Sequence, residues 1–295
     1  MFALEEWVKK KGVFLTKNNN QNLEARERRI AEARSLNLFS DVFMTAALQD
    51  PAACQHVLRI LTGIKDLTVK SVRTQYRISR MVSHDAILDV YAEDTDGKLY
   101  NIEVQRTDTV NHARRTRFYT SMIDSEYLQK GKNYDEMPEV YIIYISRTDL
   151  WNAGKTVYPV QKYLGDRKLP YDDGIHILYV NAAVNDHSTA AQLMEFFKTA
   201  DPDDMSQGDL SRRVHFLKSE EGGYQVMCEI SEKWYREGEE HGKIEGKIEG
   251  EKNQARRTAL ELRKMGLSVD MIARAVNFSL DTVKQWLAEG VSPAK

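Results

Sequence analysis

Alternating hydrophobic and polar positions between residues 68 and 105 predict three β-strands. The spans are 68–78, 86–92 and 99–105, and they are rich in the β-branched and aromatic residues that strands favour. Asp96 and Gly97 lie in a strong turn signal between the second and third spans. The apolar run at 140–145 is typical of a buried strand, and 175–180 predicts a further strand.

Helical patterns surround these strands. Ser40 stands in the N-cap position of a helix that we expect to run from Asp41 to about residue 61, where Gly63 ends it. Residues 112–130 and 189–199 also predict helices. The order helix, three strands, helix, strand predicts an α/β fold with a mixed central sheet flanked by helices. We therefore expect one domain over residues 36–200, preceded by a polar arm and a short helix at 1–35.

The chain changes character from about residue 206, where charged helical sequence replaces the strands. In the segment 206–254 glycines recur every four residues and would form a stripe on one helix face, at Gly238, Gly242, Gly246 and Gly250. Each glycine costs a helix about 1 kcal/mol relative to alanine. The pattern favours a repeat-expanded linker. The alternative is a close-packed helix pair, which would make the chain a homo-oligomer through this C-terminal helical segment.

The last segment, 255–290, has the outline of a helix-turn-helix. Gly266 ends one helix, and Ser268 and Ser279 stand in the N-cap positions of the next two. The last helix offers one basic side chain, Lys284, so base reading by that helix is not favoured. We predict a small all-helical C-terminal tail.

Composition restricts the partners and the compartment. Lysine and arginine number 42 against 44 aspartates and glutamates, a net charge of −2, so any affinity for DNA must come from a local basic patch or a metal ion. The two cysteines are far apart in sequence, the N-terminus lacks the apolar run of a signal peptide, and no stretch approaches the roughly 20 apolar residues of a membrane span. We expect a cytoplasmic protein with no membrane partner.

Two acidic residues stand inside apolar strands. A buried carboxylate is costly unless it is paired, hydrogen-bonded or bound to metal, yet Asp89 lies in the second predicted strand and Glu103 in the third. Strand alternation places Asp89, Glu103 and Gln105 on the polar face. The simpler interpretation is a solvated hairpin face with incidental acids.

The turn decides whether the two acids meet. A two-residue turn would set Asp89 opposite Val104. A three-residue loop at 95–97, with Gly97 in the left-handed position, instead sets Asp89 opposite Glu103, with Cβ atoms ~4.5–5.5 Å apart. Such a pair could share a divalent cation and support phosphodiester hydrolysis, with Gln105 orienting the attacking water.

These residues resemble the PD-(D/E)XK nuclease superfamily, and more closely its recombination-promoting nuclease/putative transposase family. The matching stretches are 38–43, 88–91 and 97–105, extended by 114–119 and 130–134. The resemblance implies that Asp89 and Glu103 are metal ligands, that the Val104 carbonyl is the third, and that Asp41 is the acid contributed by the first helix. Gln105 departs from the superfamily pattern, in which lysine is usual at this position, although glutamine is usual in this subgroup.

The resemblance implies a Mg²⁺-dependent DNA endonuclease, with Mn²⁺ as an alternative ion, acting in recombination or mobile-element activity. The predicted basic helix at 112–130 carries four residues that could bind phosphates: Arg114, Arg115, Arg117 and Tyr119. The equally simple interpretation is that these residues form a solvated helix face. The alternative function is a catalytically weak or inactive nuclease-fold scaffold that binds a partner or DNA through its helical tail.

Overall fold

The structure is a computed structural model that describes residues 31, 33–79, 85–105, 111–128, 131, 133–165 and 169–289. The predicted arm at 1–35 lies almost wholly outside the described residues, of which 31 and 33–35 are helical. The helices are α1 Asp41–Leu48, α2 Pro51–Thr62, α3 His112–Tyr127, α4 Thr189–Thr199, α5 Gly208–Ser219, α6 Glu221–Lys264, α7 Val269–Val276 and α8 Leu280–Glu289. The strands are β1 Val69–Ile78, β2 Ala86–Asp94, β3 Leu99–Gln105, β4 Val140–Ser146, β5 Val157–Pro159, β6 Tyr163–Leu164, β7 Leu169–Pro170 and β8 Ile175–Asn181.

Six strands form one mixed sheet in the order β1-β2-β3-β4-β8-β5. The pairs β1–β2 and β2–β3 are antiparallel, β3–β4 and β4–β8 are parallel, and β5 runs antiparallel to β8. The short strands β6 and β7 pair with each other. This confirms the predicted mixed sheet with flanking helices, and it places β2 and β3 next to each other inside the sheet.

Two apolar clusters cover the sheet. The larger contains Phe43 of α1, Val57 of α2 and Phe197 of α4, together with Ile102 and Ile143 of the sheet. The smaller lies beneath α3 and contains the following buried side chains: Ile78, Ala86, Leu88, Leu99, Tyr119, Met122, Ile123, Val140 and Ile142. Helices therefore pack on the sheet through two separate cores, and α3 is the helix that packs over the second.

The single helix predicted from Asp41 to about residue 61 is wrong, because the chain forms two helices there. Pro51 starts α2, since proline lacks the N–H that would continue α1. The Asp50 carboxylate caps α2 by accepting a hydrogen bond from the Ala53 N–H at 2.9 Å. Ser40 occupies the N-cap of α1 but its side chain makes no capping bond, whereas Gly63 ends α2 in the left-handed conformation, as predicted.

The chain divides into two compact units, Met1–Ile230 and Ser231–Lys295. The first unit extends beyond the predicted limit at residue 200, because α5 contributes three buried residues to the larger core: Leu210, Val214 and Leu217. Arg213 of α5 also donates two hydrogen bonds to the Ala46 carbonyl, at 3.1 and 2.9 Å.

The charged segment with the glycine repeat is helical. α6 runs through the whole glycine repeat, and a Cβ built at Gly238, Gly242, Gly246 or Gly250 would meet no atom within 4 Å. The second unit has its own core around Ala259, Ile272, Val283 and Trp286. The Ser268 and Ser279 hydroxyls accept hydrogen bonds from the N–H groups three residues on, which is the capping that the sequence predicts. None of the described helices is both long and apolar enough to cross a bilayer.

Candidate functional site

The β2–β3 hairpin has the register that its turn predicts. Val90 pairs with Ile102 and Glu93 with Leu99. Asp89 and Glu103 lie one residue beyond the last of these pairs at the same offset, and the Asp89 N–H donates to Glu103 Oε1 at 3.4 Å. At the turn, the Asp94 N–H donates to the Lys98 carbonyl at 3.1 Å. Gly97 has a φ of 83°, the left-handed conformation that ends a three-residue loop.

A buried carboxylate, which the sequence analysis did not identify, holds this turn. Asp94 is 2% exposed, and its Oδ1 accepts hydrogen bonds from the Asp96 and Lys98 N–H groups at 3.0 and 2.9 Å. Its Oδ2 accepts one from the Tyr100 hydroxyl at 2.7 Å. These three bonds specify the length of the loop, and therefore the register that brings the two acids together.

Hydrogen bonds join the facing acids to their surroundings. Asp89 Oδ2 accepts from the Val104 N–H at 3.0 Å, and Asp89 Oδ1 accepts from Gln75 Nε2 at 3.4 Å. Glu103 Oε1 accepts from Asn101 Nδ2 at 3.0 Å and from the Asp89 N–H at 3.4 Å. Each carboxylate is thus oriented by the strand that carries the other.

One oxygen of the pair remains unsatisfied. Glu103 is 1% exposed, and within the described part of the chain its Oε2 has no hydrogen-bond partner. Burial raises the pKa of Glu103 well above the ordinary value, and the negative charge of Asp89 raises it further. Burial likewise raises the pKa of Asp89, an effect that the Val104 N–H opposes. A buried acid and a partly buried acid that repel each other and leave an oxygen unpaired form an environment that a cation would stabilise.

The donor set fits a hard divalent cation such as Mg²⁺ or Mn²⁺, which prefers oxygen ligands. Among the described residues, no group of three or more His, Cys, Asp and Glu side chains is placed to hold an ion. A complete coordination shell would therefore need backbone or solvent oxygens beside Asp89 and Glu103. The assignment of the Val104 carbonyl to that role stays a prediction.

Asp41 is the first residue of α1 and is exposed. Its charge raises the pKa of Asp89, so it lies within electrostatic reach of the pair. An acid in the first turn of a helix also stabilises that helix through its dipole, so this position serves the helix whether or not it serves the site.

Arg115 of α3 lies against the site. Its Nη1 donates to Gln105 Oε1 at 3.2 Å, and its Nε donates to the Tyr119 hydroxyl at 3.0 Å. The guanidinium carbon lies 5.6 Å from the centre of the Tyr119 ring. The positive charge of Arg115 opposes the rise in the pKa values of Asp89 and Glu103. A cation thus lies beside the glutamine that occupies the usual lysine position.

The residues of the expected phosphate-binding set differ in their exposure. Arg114 and Arg117 are exposed, whereas Arg115 is half-buried at the site. Tyr119 is 5% exposed and its hydroxyl is bonded to Arg115, so it orients that arginine and does not face solvent. Arg115 and Tyr119 are four residues apart and therefore share a helix face, and packing turns that face inward.

Gln75 is a site residue that the sequence analysis missed. It lies on β1 with a φ of 51°, a conformation uncommon for residues other than glycine, and its amide donates to Asp89. Local sequence carries no signal for this contact, because it depends on how β1 bends across β2. The contact between Asn101 and Glu103 is easier to predict from the sequence, since Asn101 lies two residues before Glu103 on the same strand face.

The mixed six-stranded sheet, with its carboxylates facing each other across a hairpin, is consistent with the PD-(D/E)XK nuclease fold. The model of the PD-(D/E)XK nuclease family transposases matches residues 56–234, which is more than half of the chain, and the chain belongs to that family. The family supports a nuclease- or transposase-like role, and PD-(D/E)XK nucleases generally use divalent metals. Neither a curated protein nor a solved structure matches the chain.

Proposed function

We propose that this chain is a Mg²⁺-dependent endonuclease that hydrolyses phosphodiester bonds in DNA. The observation that carries the proposal is the buried and unpaired Oε2 of Glu103, a residue whose other carboxylate oxygen accepts a hydrogen bond from the Asp89 N–H across the hairpin. A structural acid would be expected to find a donor or to reach solvent. An oxygen that does neither is suited to bind a cation.

Asp89 and Glu103 would hold the ion together with the Val104 carbonyl, with Mn²⁺ as an alternative to Mg²⁺. When bound, the ion would supply a Lewis acid that lowers the pKa of water and neutralises charge on the phosphoryl group. Asp41 would add negative charge at the edge of this site, since its charge already reaches Asp89.

Gln105 and Arg115 would act together on the substrate. The amide of Gln105 can position a water molecule but carries no charge, whereas the guanidinium of Arg115 carries the positive charge that stabilises a phosphate. Their hydrogen bond at 3.2 Å fixes the two groups relative to each other. The exposed Arg114 and Arg117 would contact phosphates farther along the DNA. Such local basic groups are needed because the chain as a whole has a net charge of −2.

The proposal is tested by nicking of supercoiled plasmid DNA with Mg²⁺, with Mn²⁺ and with EDTA. Asp89→Ala should abolish the metal-dependent nicking that the wild type shows. Asp85→Ala is the matched control, because Asp85 is an acid just before β2 whose charge is paired with Arg77 at 3.1 Å, and it should nick as the wild type does.

Nicking by Asp89→Ala at the wild-type rate would show that another site, or a contaminant, cuts the DNA. A folded wild type that does not nick with either metal would favour the scaffold alternative, in which the helical tail binds a partner or DNA. As an active enzyme the protein would act in recombination or on mobile elements, in the cytoplasm. The C-terminal helical segment would then serve self-association.

A further inference from the structure

A row of aromatic side chains leads away from the carboxylate pair. In the β3–β4 register Glu103 lies beside Tyr144, and in the β4–β8 register Tyr144 lies beside Tyr179. Because neighbouring residues in register share a sheet face, both tyrosines lie on the face that carries the acids. Two strand spacings separate Glu103 from Tyr179, which is roughly 10 Å.

Two more rings extend this row. His112, the first residue of α3, has its ring centre 6.2 Å from Tyr144 and 5.4 Å from Tyr179. Trp151 meets His112 at 5.2 Å and Tyr179 at 5.4 Å, both edge-to-face. We call these four residues, His112, Tyr144, Trp151 and Tyr179, the aromatic wall.

The exposure of the aromatic wall is concentrated in one ring. Tyr144 and Tyr179 are buried and His112 is half-buried, but Trp151 is 47% exposed. Bases of single-stranded nucleic acids stack on accessible aromatic side chains, and Trp151 is the member of the aromatic wall that is accessible.

The loop that carries Trp151 is held in place by a carboxylate. Asp149 accepts hydrogen bonds from the Trp151, Asn152 and Gly154 N–H groups at 3.1–3.2 Å. It also accepts one from the Tyr158 hydroxyl at 2.8 Å, which ties the loop to β5. An exposed indole on an ordered loop loses little conformational entropy when a ligand stacks on it.

We propose that Trp151, the exposed edge of the aromatic wall, stacks on an unpaired base of the DNA substrate, and that the enzyme therefore prefers single-stranded or locally unpaired DNA to intact duplex. This rests on the proposed nuclease function. Charge complementarity supports the choice of ligand, because α3, which begins at His112, also carries Arg114, Arg115 and Arg117, whose positive charges suit the phosphates of the same strand. Duplex bases are already stacked on their neighbours and cannot offer a face to Trp151.

The test is equilibrium binding of a fluorescein-labelled oligonucleotide, as a single strand and as a duplex, measured by anisotropy in EDTA so that no cleavage occurs. The wild type should bind the single strand more tightly. Trp151→Ala should weaken single-strand binding on the order of 5- to 100-fold, the range that base–aromatic stacking produces, and change duplex binding less than about twofold.

Three variants separate stacking from packing. Trp151→Phe should keep most of the single-strand affinity, because it keeps a ring, whereas Trp151→Leu should lose it although it remains apolar. Tyr171→Ala removes an aromatic residue that is equally exposed, at 48%, and should bind as the wild type does. Thermal melting of each variant shows whether the fold is retained.

Equal single-strand affinities of the wild type and Trp151→Ala would overturn the proposal, as would a wild type without preference for the single strand. Equal losses on both DNAs would also overturn it, since they would indicate a general phosphate contact. Asp89→Ala should still bind the single strand more tightly than the duplex. Single-strand binding that depends on Trp151, in a protein that shows no metal-dependent nicking, would refute the proposed endonuclease function but not the proposed stacking on Trp151.

Discussion

Replacing Glu103 with glutamine removes one of two opposed charges with little change in shape. Glutamine keeps an oxygen that can accept the hydrogen bond from Asn101 Nδ2. Without metal, the wild type must hold two carboxylates that burial and mutual repulsion disfavour in their ionised forms. Glu103→Gln should therefore stabilise the metal-free protein.

The magnitude follows from the separation of the strands. Directly opposed side chains on an antiparallel pair lie about 5 Å apart, and two like charges at that distance repel by about 3 kcal/mol at an effective dielectric constant of 20. The positive charge of Arg115 offsets part of this repulsion. Near pH 8, where Glu103 begins to ionise, we expect a gain of about 1–3 kcal/mol, which corresponds to a rise of about 2–10 °C in the melting temperature of a unit of this size.

The effect should depend on pH with a definite sign. Both carboxyl groups have folded-state pKa values above their ordinary values, so the folded state holds their protons more tightly than the unfolded state does. The wild type should therefore lose stability as the pH rises from about 4.5, the ordinary value for Glu103, through the raised folded-state pKa. The advantage of Glu103→Gln should be larger near pH 8 than near pH 5.

Metal should reverse the order of stability. A ligand that binds only the folded state stabilises it by about 2.7 kcal/mol at 100 times its Kd. Melting curves with Mg²⁺ and with EDTA, near pH 8, should show an upward shift in the wild type and none in Glu103→Gln. Glu93→Gln, on β2 and ion-paired with Lys70, is the control and should shift as the wild type does. A metal-free Glu103→Gln that melts below the wild type, or that gains as much from Mg²⁺, would refute the reasoning.

Gln105→Ala and Arg115→Ala should each lower the nicking rate by about 10²–10³ while keeping the Mg²⁺-dependent melting shift, because neither side chain is expected to ligate the ion. Adding Gln105→Lys to Arg115→Ala should restore part of the rate; no recovery would show that the two positions are not equivalent. Tyr100→Phe leaves Asp94 short of a buried donor and should cost about 1–3 kcal/mol in urea unfolding. Gly246→Ala should raise the helix content measured by circular dichroism, since alanine favours a helix by about 1 kcal/mol and the site is open; a fall in oligomer mass would instead show that this glycine packs between chains.

The hairpin could be predicted from the sequence because its information is local. Strand alternation placed Asp89 and Glu103 on one face, and Gly97 selected the loop length that sets them opposite each other. The break between α1 and α2 is equally local, since Pro51 carries its signal, whereas the apolar pattern on both sides of Pro51 predicts one helix. The low helix propensity of glycine disfavours a helix through the repeat, and α6 nevertheless runs through it.

The rest of the site depends on how elements pack. Nothing near Gln75 in sequence indicates that its amide reaches Asp89, because that contact requires β1 to bend with a φ of 51°. The three arginines of α3 looked alike in sequence. Their different environments follow from the rotation of α3 about its axis, which is set by the burial of Met122 and Ile123 against the sheet.

Under the proposed function, that rotation would supply the positive charge that a lysine at position 105 would otherwise carry. A lysine on β3 would carry its positive charge on the same strand as Glu103, so strand β3 alone would determine where that charge lies. Here the charge comes from Arg115 on α3, and hydrogen bonds to Gln105 and Tyr119 fix its direction. A guanidinium is also held more rigidly than an ammonium, since its planar donors can bond to both neighbours at once. The arrangement makes the charge of the site depend on the packing of α3, so a cavity made beneath that helix, distant from the carboxylates, should weaken phosphate binding without disturbing the hairpin.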